Sequence, residues 1–139
     1  MRFVVDASVA VKWVVVEDDH DLARALIAAR HDLIAPDFLL LEVGNVLWKK
    51  VRRKEISADQ AGVALEGIRV LFGEIVPGQP HIARALSLAL ELDHSVYDCL
   101  YVAVAEHEGA QLVTADDRLL ECLAPSAHAG LATRLGAAS

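Results

Sequence analysis

The stretch Arg2-Phe3-Val4-Val5-Asp6-Ala7-Ser8 decides how this chain is read. Phe3, Val4 and Val5 form an unbroken apolar run of β-favouring residues, which suits a strand buried on both faces in a parallel sheet. The run stops at Asp6, and Val9, Ala10, Val11 and Trp13 resume at once in a helical pattern to about Val16. An acid at the carboxyl end of a buried strand stands where open α/β sheets place their ligands. The same acid also suits an N-cap of the helix that follows. Position 6 alone leaves both roles open.

Working outward, Leu22, Ala25, Leu26 and Ala29 recur at helical spacing through Arg30. Leu33-Ile34-Ala35 is a second short strand closed by Pro36, and Asp37 is placed to cap a helix from about Phe38 to Lys54. Ser57 and Gln60 match a capping box for a helix to about Phe72, and Ile75-Val76 follows as a brief strand. A fifth helix ends near Leu92, and a sixth opens at Ser95 and is terminated by Gly109. Gln111-Leu112-Val113-Thr114 is the next strand, followed by Asp116, Asp117 and a helix through Cys122. After Ala124 the signals are weak, and a last strand or a loose end both fit. Strands alternating with helices predict an α/β/α fold around a mainly parallel sheet of four to five short strands. The expectation is a single domain over residues 1–139, with the tail after about 124 undefined.

The composition narrows the function. No apolar run approaches the roughly 20 residues of a membrane span, and the amino terminus lacks the plan of a signal peptide, so no membrane association and a cytoplasmic location are expected. Cys99 and Cys122 are isolated and read as reduced core residues; the histidines at 20, 31, 81, 94, 107 and 128 show no zinc spacing. There is no nucleophile elbow and no glycine-rich phosphate loop. A net charge of −7 argues against broad nucleic-acid binding, yet Lys49, Lys50, Arg52, Arg53 and Lys54 concentrate five of the thirteen basic residues. That stretch is either a solvated helix end complementing the dipole or a contact for a polynucleotide or an acidic partner.

The recurrent polar group is the carboxylate. Glu42 lies among Leu39, Leu40, Leu41, Val43 and Val46, where a solvated acid is least expected, with Asn45 one turn on. Asp98 interrupts another apolar helix, although Ser95-x-x-Asp98 also fits a capping box. Asp116 follows its strand as Asp6 follows the first, and it too suits a plain N-cap. Strand ends and helix amino-terminal turns gather at one edge of a parallel sheet, so all four acids are able to converge. Converging carboxylates repel unless a cation is present, and an oxygen-only set without a nearby cysteine or histidine favours Mg²⁺ or Mn²⁺. Such ions support phosphodiester hydrolysis without a protein nucleophile.

The order Val-Val-Asp6-Ala-Ser8, Pro36…Glu42-Val-Gly-Asn45, Tyr97-Asp98-Cys-Leu-Tyr101-Val-Ala-Val-Ala105 and Leu-Val-Thr114-Ala-Asp116 resembles the PIN-domain ribonucleases, and within them the VapC-type toxins of toxin–antitoxin pairs. The resemblance spans residues 2 to 123. It implies a Mg²⁺- or Mn²⁺-dependent endoribonuclease with Asp6, Glu42, Asp98 and Asp116 as the acidic site and Asp6 and Asp98 as the most direct ligands. Ser8, Asn45 and Thr114 match supporting polar positions, and Asp117 leaves the fourth acid ambiguous by one place. The resemblance also implies a homodimer and a small antitoxin that occludes the cleft. Lys49, Lys50, Arg52 and Arg53 are candidates for contact with the RNA or that partner. Two alternatives stand beside it. One is a non-catalytic PIN-like RNA- or protein-binding module. The other is a haloacid-dehalogenase-like phosphatase, disfavoured because Ser8 stands where that fold uses a second aspartate.

Overall fold

Val4 and Val5 have no solvent exposure, because their strand lies in the middle of a five-stranded sheet. The computed structural model describes residues 1–138. Strand β1 (Arg2–Val5) pairs on one side with β2 (Asp32–Pro36) and on the other with β4 (Gln111–Thr114). Strand β3 (Glu74–Val76) lies beyond β2, and β5 (Ala132–Arg134) lies beyond β4. The order is β3-β2-β1-β4-β5 and every pairing is parallel. The weak tail therefore supplies an edge strand, with Thr133 in register with Val113.

The helices are α1 (Ala7–Val14), α2 (His20–Ala28), α3 (Phe38–Arg52), α4 (Ala58–Val70), α5 (Ile82–Leu92), α6 (Val96–Glu108) and α7 (Asp117–Leu123). Helix α1 packs against α2, α3 and α4, while α5 packs against α6, which crosses β1, β2 and β4. The central strands bury Phe3, Ile34 and Leu112 between these layers. Each side chain of that size contributes about 1.5–3 kcal/mol when fully removed from water. Trp13 of α1 joins the core by packing at a 55° tilt against Phe72 and donating its Nε1–H to the Ala23 carbonyl at 2.9 Å. None of the helices among the described residues is long and apolar enough to cross a membrane.

Local signals act largely as expected. Ser57 and Gln60 form both hydrogen bonds of a capping box, and Gly109 ends α6 with φ of 60°. Helices α2 and α3 stop short of Arg30 and Lys54 because both residues take the left-handed conformation, at φ 57° and 61°. Asp37 is a correction. It precedes α3, but its backbone is already helical (φ −58°, ψ −25°) and its side chain makes no cap. Its Oδ1 instead accepts the Gly78 N–H at 3.1 Å, tying the start of α3 to the turn after β3.

The chain steps outward from β1 to β2 and β3, then returns to the other side of β1 for β4 and β5. The reversal between β1 and β4 opens a crevice at their carboxyl ends, the place where such sheets bind ligands. Asp6 follows β1 at that point, and Asp116 follows β4.

Candidate metal centre

Asp6 is only 5% exposed. Its Oδ1 accepts the Ser8 hydroxyl at 2.6 Å and the Val9 N–H at 3.3 Å, so it does cap α1. Its Oδ2 accepts the Thr114 hydroxyl at 2.5 Å. Ser8 Oγ also accepts the Ala115 N–H at 3.0 Å, and Thr114 Oγ1 accepts the Asp116 N–H at 3.0 Å. The two hydroxyls thereby stitch the ends of β1 and β4 together around one carboxylate.

The other acids arrive from helices. Asp6, Glu42, Asp98 and Asp116 all line one cleft of about 370 Å³, with Ser8, Lys12, Glu17 and Tyr101. Glu42 Oε1 accepts the Tyr101 hydroxyl at 2.5 Å, a bond between α3 and α6. Asp98 Oδ2 lies 2.7 Å from His94 Nε2. Ser95 caps α6 by accepting the Asp98 N–H at 3.3 Å, while the Asp98 carboxylate is bonded to His94 and lines the cleft. Asp116 caps α7 by accepting the Arg118 and Leu119 N–H groups on Oδ1. Glu42 Oε2, Asp98 Oδ1 and Asp116 Oδ2 have no hydrogen bond from the protein among the described residues.

The electrostatics are unbalanced. Burial pushes the Asp6 carboxyl up to about 6, against the pull of Ser8, Thr114 and Val9, and the charge of Asp98 adds to the rise. Burial also raises Glu42, opposed by the Tyr101 hydrogen bond and assisted by Asp98. Burial, reinforced by Glu42, drives the Tyr101 hydroxyl far upward, so it stays a neutral donor. Among the described residues no lysine or arginine pairs with any of the four acids. Lys12 enters the cleft, but its ammonium binds the Asp18 carbonyl at 2.8 Å and Glu17 at 3.5 Å. A divalent ion fits this donor set: clustered oxygen ligands, three of them free, and no lysine or arginine among the described residues paired with them.

Some expectations change. His94, Asp98 and Asp116 offer ligand atoms within 4.8 Å of one another, so a histidine does border the site. The expectation of an oxygen-only neighbourhood is corrected by that imidazole. Its sequence signal was the spacing of four to Asp98, across the Ser95 cap. Asn45 is exposed and does not line the cleft, because three residues on a helix turn it about 60° past Glu42. Asp117 is exposed and pairs with Arg134, whereas Asp116 lines the cleft. Lys12 and Glu17 were not singled out from the sequence. A larger groove of about 550 Å³, between α1 and α4, is mostly apolar and holds no such cluster. Cys99 is buried, and burial lifts its thiol to about 11, so it is inert packing.

Comparison with known proteins gives the family and the fold. Residues 3–122 match the PIN domain family. The chain is 35% identical over 123 residues to Ribonuclease VapC3 of Pyrobaculum aerophilum, covering 87% of this chain and 94% of that one. The crystal structure of PAE2754 from Pyrobaculum aerophilum superposes with a TM-score of 0.71 at 29% identity, covering 88% of this chain and 79% of the other. The crystal structure of VapBC2 from Rickettsia felis, bound to a promoter DNA fragment, shares the fold at 14% identity, with a TM-score of 0.68 over 96% of this chain and 98% of that one.

Proposed function

The chain belongs to the PIN domain family, and we propose that it is a divalent-metal-dependent endoribonuclease acting as the toxin of a toxin–antitoxin pair. The observation that carries this reading is the convergence of Asp6, Glu42, Asp98 and Asp116 on one cleft without a neutralising lysine or arginine. On this reading Asp6 and Asp98 would hold the ion most directly, Asp6 through a second lone pair of an oxygen already bonded to Ser8 or Thr114, with Glu42 and Asp116 as ligands or as groups that orient water. Mg²⁺ or Mn²⁺ are the ions proposed, since carboxylate oxygens make up most of the donor set.

When bound, such an ion stabilises charge on the scissile phosphate and lowers the pKa of water. The chain's own contributions are positional. Ser8, Thr114 and the Val9 N–H hold both oxygens of Asp6, so its carboxylate presents one orientation to the cleft. Tyr101 fixes Glu42 through one oxygen, and the α7 amide groups fix Asp116 through one oxygen, leaving the second of each for water or ligand. Held in this way, the acids have little reorganisation left to make at the moment of reaction.

The similarity to a ribonuclease of the VapC group supports a small antitoxin as partner, and we propose a homodimer in the cytoplasm. We also read residues 1–139 as a single PIN-like domain, a reading supported by β5 joining the same sheet after the weak tail sequence.

The test is cleavage of RNA by purified protein with Mg²⁺ or Mn²⁺, against EDTA and against Asp6→Asn and Asp98→Asn. Cleavage lost in EDTA and in both variants is expected; cleavage unchanged in both variants sinks the mechanism. A small protein encoded in the adjacent reading frame that copurifies and blocks cleavage supports the antitoxin pairing.

A further inference from the structure

The basic end of α3 has a feature that the helix dipole does not explain. Lys49, Arg52 and Arg53 surround Trp48 in a pocket of about 330 Å³. Trp48 is 52% exposed, and the Arg52 guanidinium sits 5.0 Å from its ring centroid. Cations in a last turn complement the dipole, but that role gives no reason to leave an indole in water among them. Lys49, Arg52 and Arg53 have no ion-pair partner among the described residues, whereas their neighbour Lys50 is held by Glu17 at 3.4 Å and Glu55 at 3.5 Å. In a chain of net charge −7, three unpaired cations around an aromatic ring make a local positive site.

Its position relative to the acidic cleft follows from helix geometry. Glu42 and Val46 of α3 line the cleft. Lys49 and Arg53 stand seven and eleven residues beyond Glu42, and at 100° per residue both return to its flank of the helix. The separation along the axis is about 16 Å at 1.5 Å per residue.

We propose that single-stranded RNA leaving the cleft follows a track along the flank of α3 towards its C-cap, with Lys49 and Arg53 on phosphates. It turns at the helix end so that a base stacks on Trp48, which lies with Arg52 on the adjoining face, about 120° round from Glu42, and shares a pocket with both cations. This rests on the nuclease reading of the cleft. An exposed aromatic ring beside cations is the combination that binds single strands, since every base has a face to stack and every phosphate a charge to meet. An acidic protein segment would use the cations but has no need of the half-exposed indole.

The experiment uses a labelled random-sequence single-stranded RNA 20-mer and fluorescence anisotropy over a range of salt concentrations. Ca²⁺ replaces Mg²⁺, so that binding is followed apart from cleavage. Lys49→Gln and Arg53→Gln are each expected to weaken binding several-fold and to reduce the log–log salt slope by about 0.7. Trp48→Ala is expected to weaken binding about fivefold or more with the slope unchanged, and Trp48→Phe to restore most of it. With Mg²⁺ the same weakening appears in KM rather than kcat. Variants that bind RNA with wild-type affinity and slope overturn the track, as does a loss confined to binding of a copurified antitoxin. Wild-type cleavage alongside unaffected variants leaves the nuclease reading standing and the track refuted. Binding that depends on Lys49 and Arg53 without any cleavage does the reverse.

Discussion

Thr114 Oγ1 donates to Asp6 Oδ2 at 2.5 Å, joining residues 108 positions apart at the ends of β4 and β1. The same oxygen accepts the Asp116 N–H, so one fully buried hydroxyl aligns two of the four acids. Thr114→Val keeps the shape and deletes the donor. Leaving a buried carboxylate oxygen unpaired costs about 1–3 kcal/mol, and outer contacts of this kind affect metal affinity about 10- to 100-fold. Calorimetric titration with Mn²⁺ is expected to show that loss in the valine variant and near-normal binding in Thr114→Ser. Wild-type affinity in the valine variant would remove Thr114 from this role.

Without metal, Asp6 keeps its proton up to about pH 6 in the folded chain, against an ordinary 3.8. The folded state therefore binds a proton that the unfolded state has released, and stability falls as pH rises from about 4 through 6. A shift of that size corresponds to about 3 kcal/mol, present below pH 4 and lost above pH 6. Denaturant titrations in EDTA between pH 4 and 8 should show wild type losing stability relative to Asp6→Asn. Mg²⁺ should restore the wild type at neutral pH, since it binds the carboxylate form. Parallel pH profiles for the two proteins would contradict the burial argument.

His94 lies 2.7 Å from Asp98 and within ligand reach of Asp116. Whether it donates to the carboxylate or binds the ion through nitrogen, its loss weakens the site. His94→Ala is expected to lower Mn²⁺ affinity about 10-fold, read as free Mn²⁺ by electron paramagnetic resonance. A nitrogen hyperfine coupling present in wild type and absent in His94→Ala identifies direct ligation. Unaltered affinity would leave the imidazole as a bystander.

Tyr101→Phe removes the only protein hydrogen bond to the Glu42 carboxylate among the described residues. That bond opposes the upward shift caused by burial, so its loss raises Glu42 further. Activity that requires the carboxylate then has its acidic limb moved to higher pH, so the variant loses most kcat relative to wild type on the acid side of the profile. A pH–rate profile superimposable on wild type would argue against the contact.

Asp116 and Asp117 separate cleanly by environment. Asp116 lines the cleft, while Asp117 is exposed and pairs with Arg134. Asp116→Asn is expected to abolish most cleavage. Asp117→Asn should retain it and change stability by less than about 1 kcal/mol, as exposed ion pairs do. The reverse pattern would move the fourth acid by one residue.

Much of this was legible in the chain itself. The apolar run Phe3–Val5, the capping pair Ser57 and Gln60, and Gly109 act through local backbone chemistry, so they specify their elements wherever these are placed. The four acids could be picked out because each sits in an apolar setting that a solvated acid avoids. What the sequence could not state was which groups meet. His94 reaches Asp98 only because Ser95 caps α6 and places His94 just ahead of its first turn, and Tyr101 reaches Glu42 only because α3 and α6 face each other across the cleft. Asn45 turns outward by helix rotation, Asp37 turns to Gly78, and the tail after Ala124 becomes a strand because β4 offers it an edge. Local propensity is a property of a few consecutive residues. The order of strands around β1 decides which ends share a crevice, and that order arises only when the whole sheet closes its pairings.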